Sequence, residues 1–192
     1  MKLIIASHNS NKKKEIRKVL PDSYQLQDLN DIGLLEEIEE NGKTLEENAL
    51  IKARYLHLLL NENCFAEDSG LEIESLNGEP GVRSARYAGE QRNDENNIQL
   101  VLKKMKDKTN REARFRTVIA LIYDHREYLF EGTVSGVIAL EPKGKHGFGY
   151  DPVFIPESYN QSFAELGDEI KVKISHRSMA IKKLVRFLET QK

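Results

Sequence analysis

KLIIASHNSNKKKEIRKVLPDSYQLQDL, residues 2–29, reads as strand, polar loop, helix and second strand. Lys2 to Ala6 is an apolar run short enough for a buried strand. Ser7 to Asn11 is polar and cannot continue it. From Lys12 to Leu20 the apolar positions Ile16, Val19 and Leu20 fall on one helical face. Tyr24 to Leu29 is again strand-like. A β-α-β opening of this kind predicts an α/β fold.

Working outward, Thr44 with Glu47 three residues later has the form of a capping box. It opens a helix to about Leu60 with the stripe Leu45, Ala49, Ala53, Leu56 and Leu60. Cys64 to Glu67 is expected as a short strand ending in Asp68-Ser69-Gly70, with Leu71 to Leu76 extended beyond it. A glycine-punctuated loop, 78–89, precedes a helix marked by Ile98, Val101, Leu102 and Met105. Arg114 to Tyr123 and Glu127 to Leu140 form two β patterns joined at Asp124 to Arg126, where a hairpin is natural. Ser162 and Glu165 are placed to cap a short helix. The last helix is expected from about Ser175, with Ile181, Leu184, Val185 and Leu188 inward. The expectation is α/β with a mixed β-sheet flanked by helices, one domain over residues 1–192, as two lobes around a central cleft.

The chain has 192 residues, 39% hydrophobic and 31% charged, the balance of a globular domain able to bury its own core. Its 29 basic against 31 acidic residues give a net charge of −2, which argues against a nucleic-acid partner. No apolar run approaches the ~20 residues of a membrane span. The opening residues lack a secretory pattern, and a single cysteine, Cys64, excludes an intrachain disulfide. A cytoplasmic protein with no membrane partner is expected.

Four polar segments carry candidate chemistry. In Ser7-His8-Asn9-Ser10-Asn11-Lys12, amides at a helix start together with Lys12 suit a phosphate; the segment reads equally as a solvated turn. Glu39-Glu40 in a loop and Glu67-Asp68 at a strand end offer the hard oxygens that Mg²⁺ takes, usually one or two carboxylates with water and phosphate oxygens. Glu67 and Asp68 at the end of a buried strand stand out because an unpaired carboxylate there is costly. Lys52, among Ala49, Ala53 and Leu56, either snorkels to solvent or faces a phosphate. Phe148-Gly149-Tyr150-Asp151 either presents a ring to a base or tucks its aromatics into the core. Lys171, Ser175, His176 and Arg177 bring donors to a helix start, where basic residues oppose the macrodipole. Gly42-Lys43-Thr44 mimics the end of a Walker A loop, but Glu37 stands where its leading glycine belongs.

Six segments in chain order together resemble the inosine triphosphate pyrophosphatase family, the dITP/XTP or non-canonical purine NTP pyrophosphatases. They are Ser-His-Asn-Ser-Asn-Lys at 7–12, Glu-Asn-Ala with Lys-Ala within 47–53, and Glu-Asp-Ser-Gly-Leu at 67–71. The others are Pro-Gly-Val-Arg-Ser-Ala-Arg-Tyr-Ala-Gly at 80–89, Gly-Phe-Gly-Tyr-Asp-Pro at 147–152 and Ile-Ser-His-Arg at 174–177. The resemblance implies a long mixed sheet in two lobes, a homodimer, and Mg²⁺-dependent hydrolysis of a nucleoside triphosphate to monophosphate and pyrophosphate. It implies phosphate binding by Ser7 to Lys12 with Lys52 and Ser69, metal binding by Glu40 and Asp68, and Asp68 as general base. Base recognition would fall to Phe148, Gly149, Tyr150, Asp151, Lys171, His176 and Arg177. His8 departs from the small residue of the family's loop, Ser7 stands for Thr, and Glu67 for Asp.

Arg177 or His176 donating to the purine O6 accepts inosine and xanthine but meets the amino group of adenine. At ~1–3 kcal/mol for an unpaired buried donor, ATP is disfavoured by roughly 10–100-fold per contact. A pyrophosphatase of different base specificity and a non-catalytic nucleotide-binding protein remain as alternatives; a mere binder does not need the acids.

Overall fold

The computed structural model describes residues 2–191. Its elements are β1 (Lys2–Ile5), α1 (Ser10–Val19), β2 (Gln25–Gln27), α2 (Leu45–Leu60), β3 (Cys64–Ile73), α3 (Asp94–Lys104), β4 (Glu112–Tyr123), β5 (Arg126–Ile138), β6 (Phe154–Pro156), α4 (Phe163–Ile174) and α5 (His176–Glu189). The six strands form one sheet in the order β2-β1-β3-β4-β5-β6. β1 pairs parallel with β2 and β3, whereas β5 and β6 are antiparallel. The expected mixed sheet with flanking helices is present.

The chain divides into two compact units. The first comprises residues 1–68, 117–132 and 177–192; the second, 69–116 and 133–176. In the first unit the strands alternate cleanly. Leu3 and Ile5, Phe65, Ile119 and Leu121 pack with Ile16 of α1 and with Ala180, Ile181, Leu184 and Leu188 of α5. Their neighbours Ile4, Ala6, Cys64, Ala66, Val118, Ala120 and Ile122 pack with Leu45, Ala49, Ala53 and Leu56 of α2. Successive side chains of a strand point to opposite faces, so α1 with α5 and α2 cover the two faces of this half of the sheet. The core of the second unit joins Leu71 and Ile73 of β3, Ile98 and Val101 of α3, Phe115 of β4, Ile138 of β5, Phe154 of β6 and Phe163 of α4.

Local chemistry sets the boundaries. Asn9 caps α1, its side chain accepting from the Asn11 and Lys12 amides. At α2 the Thr44 hydroxyl accepts from Glu47 N at 3.1 Å, while the Glu47 carboxylate returns to Lys43 N at 2.5 Å, one residue earlier than in a standard box. The full capping box between Ser162 and Glu165 forms at α4. Asp124 and His125, both with positive φ, make a two-residue connection between β4 and β5, whose twist suits a hairpin.

Two expectations are corrected. Asp68-Ser69-Gly70 does not end a strand but lies inside β3, which runs unbroken for ten residues. The polar groups there are met by side chains from neighbouring helices, so no turn is needed. Lys171 belongs to the end of α4; extended backbone at Ser175 then separates it from α5.

Gly136 on β5 sits opposite β6, and a Cβ there would lie 2.2 Å from the Ile155 carbonyl oxygen and 2.8 Å from Phe154 Cζ. Gly136→Ala is expected to cost about 1–3 kcal/mol, the usual penalty of overpacking, measured as a lowered urea midpoint.

Candidate active site

Within the first unit, β3 carries Glu67 and Asp68 side by side, and alternation sends them to opposite faces. Glu67 turns toward the α1 and α5 side. Arg177 Nε donates to both its oxygens at 2.9 Å, and Lys12 Nζ lies 3.4 Å away. Arg177 also donates from Nη1 to Glu15 of α1. Asp68 turns toward α2, where Asn48 Nδ2 donates to Oδ2 at 3.2 Å and Lys52 Nζ lies 3.4 Å from Oδ1. Lys52 also donates to Glu40. Lys52, Glu67, Asp68 and Arg177 are all buried, so Lys52 does not snorkel.

Burial governs the charges. It pushes the Asp68 carboxyl above the ordinary aspartate range, although Lys52 and Lys12 oppose the shift. It would raise Glu67 too, but Arg177 and Lys12 outweigh it and hold that carboxyl below the usual range. Desolvation lowers the Lys12 ammonium despite Glu67. Lys52 is raised because Asp68 and Glu40 outweigh its own desolvation. One acid is therefore held firmly ionised, and its neighbour is a better proton acceptor.

The loop ahead of α2 is tied onto that helix, with Gly42 N donating to Asn48 Oδ1 at 2.8 Å. Asn48 thus fixes both the Asp68 carboxylate and the segment bearing Glu40. The two carboxylates converge on one ammonium, so a cation already stands before both. Among the described residues no cluster of three or more His, Cys, Asp or Glu gathers. Two carboxylates are nevertheless the donor set that suits Mg²⁺, which keeps water and substrate oxygens in its remaining positions.

In the first loop the Asn9 carboxamide takes the Asn11 and Lys12 amides at 3.0 and 3.1 Å, and Ser7 Oγ accepts from Asn9 N at 3.1 Å. Ser10 and Asn11 are exposed. His8 reaches out of the loop, Nδ1 to Asn30 Oδ1 at 3.1 Å and Nε2 to the Glu36 carbonyl at 3.0 Å. His8 thus braces the loop against residues 30–36.

The second unit holds the other candidates. Asp151 is buried and accepts from Phe148 N at 2.9 Å and from buried Lys171. The Lys171 ammonium stands 4.8 Å from the centre of the half-buried Phe148 ring, a cation–π contact. Gly149 N donates to Asp94 Oδ2 at 2.7 Å. Tyr150 is a core residue whose hydroxyl donates to the Ser84 carbonyl at 2.8 Å. His176 is buried and stacks on Phe115, ring centres 4.7 Å apart. Ser69 is half-buried in β3. Of the two aromatics in the loop, Tyr150 packs and Phe148 is partly presented.

Sequence reasoning missed Glu15, Asn48, Asp94 and Ser84. Glu15 and Asn48 were detectable: each lies on a helical face with a singled-out lysine, Glu15 three residues after Lys12 and Asn48 four before Lys52. Asp94 and Ser84 act through long-range contacts that carry no local signal.

An α/β chain that buries ionised acids against lysines in its first unit carries the perturbed charges that cluster at functional sites. The chain belongs to the Ham1 family, whose model matches residues 3–187. It is 48% identical over 189 residues to a dITP/XTP pyrophosphatase of Flavobacterium psychrophilum, covering 98% of this chain and 100% of that one. A dITP/XTP pyrophosphatase of Bacillus subtilis is 49% identical over 190 residues, covering 97% and 96%. The solved Ham1 protein of Staphylococcus aureus matches with a TM-score of 0.90 at 42% identity, over 100% of both chains.

Glu67→Gln leaves Arg177 and Lys12 short of a buried counter-charge and is expected to cost about 3–5 kcal/mol. The Glu67 carboxyl is depressed below 4.5 on folding, so its stabilisation is present above pH 4.5 and is lost as pH falls through the lower folded value. Melting temperatures from pH 7 to pH 3 should therefore fall more steeply in the native protein than in the variant.

Proposed function

We propose that this chain hydrolyses non-canonical purine nucleoside triphosphates, ITP, dITP and XTP, to the monophosphate and pyrophosphate, clearing deaminated purines from the nucleotide pool. The observation that carries the reading is the buried Asp68, raised by desolvation and held by Asn48 and Lys52 beside Glu40. The names of the relatives support the substrate class.

Attack of water on the α-phosphorus expels pyrophosphate and builds negative charge on phosphate oxygens, so catalysis is positioning and charge stabilisation. Asp68, as general base, takes the proton of the attacking water. Lys12 and Lys52 supply positive charge to the triphosphate, with Ser7 to Asn11 and Ser69 offering polar contacts. Glu40 and Asp68 would hold Mg²⁺, which when bound neutralises phosphate charge and acidifies water. Lys52 bridges these two acids, and with Mg²⁺ held there it would be free to turn from carboxylate to phosphate.

Phe148 provides a ring for stacking, stiffened by Lys171 and Asp151. His176 or Arg177 supplies the donor for the purine O6, Lys171 belongs with them, and Gly149, Tyr150 and Asp151 hold the loop's shape. Arg177 is assigned to the same recognition set, and it also anchors Glu67. We take residues 1–192 as one functional domain, working as a cytoplasmic homodimer. Among the described residues no helix is long and apolar enough to cross a membrane.

The test is product analysis with Mg²⁺ and ITP, XTP, dITP, GTP, ATP or dUTP. IMP with pyrophosphate, and ATP cleaved at least tenfold more slowly, is expected. IDP with phosphate would relocate the attack to the γ-phosphorus. Asp68→Asn should lower kcat by about 10²–10⁴, the usual contribution of a general base, with the fold retained by circular dichroism; near-native turnover would remove Asp68 from the role.

A further inference from the structure

Outside this site, the C-terminal turn of α2 and the β4–β5 connection of the first unit bring two histidines together. His57 Nε2 and His125 Nδ1 lie 3.2 Å apart, ring centres 5.2 Å apart. His57 Nδ1 lies 2.8 Å from the Glu62 carbonyl oxygen. A carbonyl only accepts, so Nδ1 carries the hydrogen and the Nε2 lone pair faces His125. This is how metal-ligating histidines are oriented, the second ring nitrogen donating to a backbone carbonyl.

We propose that His57 and His125 form a chelate for a borderline divalent cation of the Zn²⁺ type. With Zn–N bonds of about 2.0–2.1 Å, a 3.2 Å nitrogen separation gives an N–Zn–N angle of roughly 100–105°, close to tetrahedral. Imidazole nitrogen suits Zn²⁺, Ni²⁺ and Cu²⁺, whereas Mg²⁺ prefers oxygen, so the pair does not compete for the ion assigned to Glu40 and Asp68. His125 binds by moving its proton from Nδ1 to Nε2 through solvent. Both ligands are then neutral, no redox change occurs, and water completes the shell.

The geometry is held from outside the pair. Arg54, one turn before His57, forks onto Glu127 with bonds of 2.7 and 2.8 Å. Asp124 N donates to Asn63 Oδ1 at 3.0 Å. Asn61 N donates to the His57 carbonyl at 2.7 Å in the helix cap. His125 is exposed and His57 half-buried, so an ion has access. Cys64, the chain's one thiol, is buried and pushed up to about 12 by desolvation, so it offers no competing thiolate.

The full-length protein, stripped of metal and held in excess Mg²⁺, is titrated with Zn²⁺ by calorimetry. One equivalent per chain is expected for the native protein and for Asp68→Asn, with affinity at least tenfold lower in His57→Ala and His125→Ala. His57→Gln, which retains a donor for the Glu62 carbonyl, must lose the ion as well. Cu²⁺ as a paramagnetic probe should show coupling to two nitrogens, falling to one in each single variant. Binding that persists unchanged in all three histidine variants, or that disappears only in Asp68→Asn, would overturn the proposal.

Discussion

Two neighbouring carboxylates on one strand impose the constraint around which this molecule is organised. Glu67 and Asp68 are buried in β3, and strand alternation turns them to opposite faces. Each face of the sheet therefore brings its own donors. One face answers with Arg177 and Lys12, from α5 and α1, the other with Lys52 and Asn48, both from α2. The apolar packing obeys the same alternation, since Phe65 lies with α1 and α5 and Ala66 with α2.

Buried ion pairs are poor sources of net stability, because desolvation consumes much of the attraction between the charges. Their presence here makes sense as chemistry. The same pair of residues yields one acid that stays ionised and one that is readier to accept a proton, although only one peptide bond separates them. The second unit repeats the device in smaller form: Lys171 and Asp151 are buried together, and their pairing fixes the loop that carries Phe148.

Much of the fold was legible in the sequence, because its signals are local. Apolar periodicity located α1, α2, α3 and α5, Thr44 and Ser162 marked helix starts, and Asp124 fell in the hairpin. The continuity of β3 was not legible: Asp68-Ser69-Gly70 has the composition of a turn, and only side chains from distant helices make it tolerable inside a sheet. Among the candidate residues, Lys52 and Tyr150 each had two local readings, with a snorkelling surface lysine the default for Lys52. What decides them is the placement of Asp68 for the one and of the Ser84 carbonyl for the other, and neither is encoded nearby. The partnership of Glu15 with Arg177 spans almost the whole chain, so no window of sequence contains it.

The first unit is closed by the last helix. Leu3, Ile5 and Ile16 are buried with Ala180, Ile181, Leu184 and Leu188, which follow them in synthesis. On the ribosome these side chains wait, with one face uncovered, until α5 has been translated. The second unit ends at His176 and has every one of its segments in hand before α5 emerges. Vectorial synthesis thus favours an order in which the later-starting unit is the first able to finish, and the earlier-starting unit stays incomplete until α5 is made.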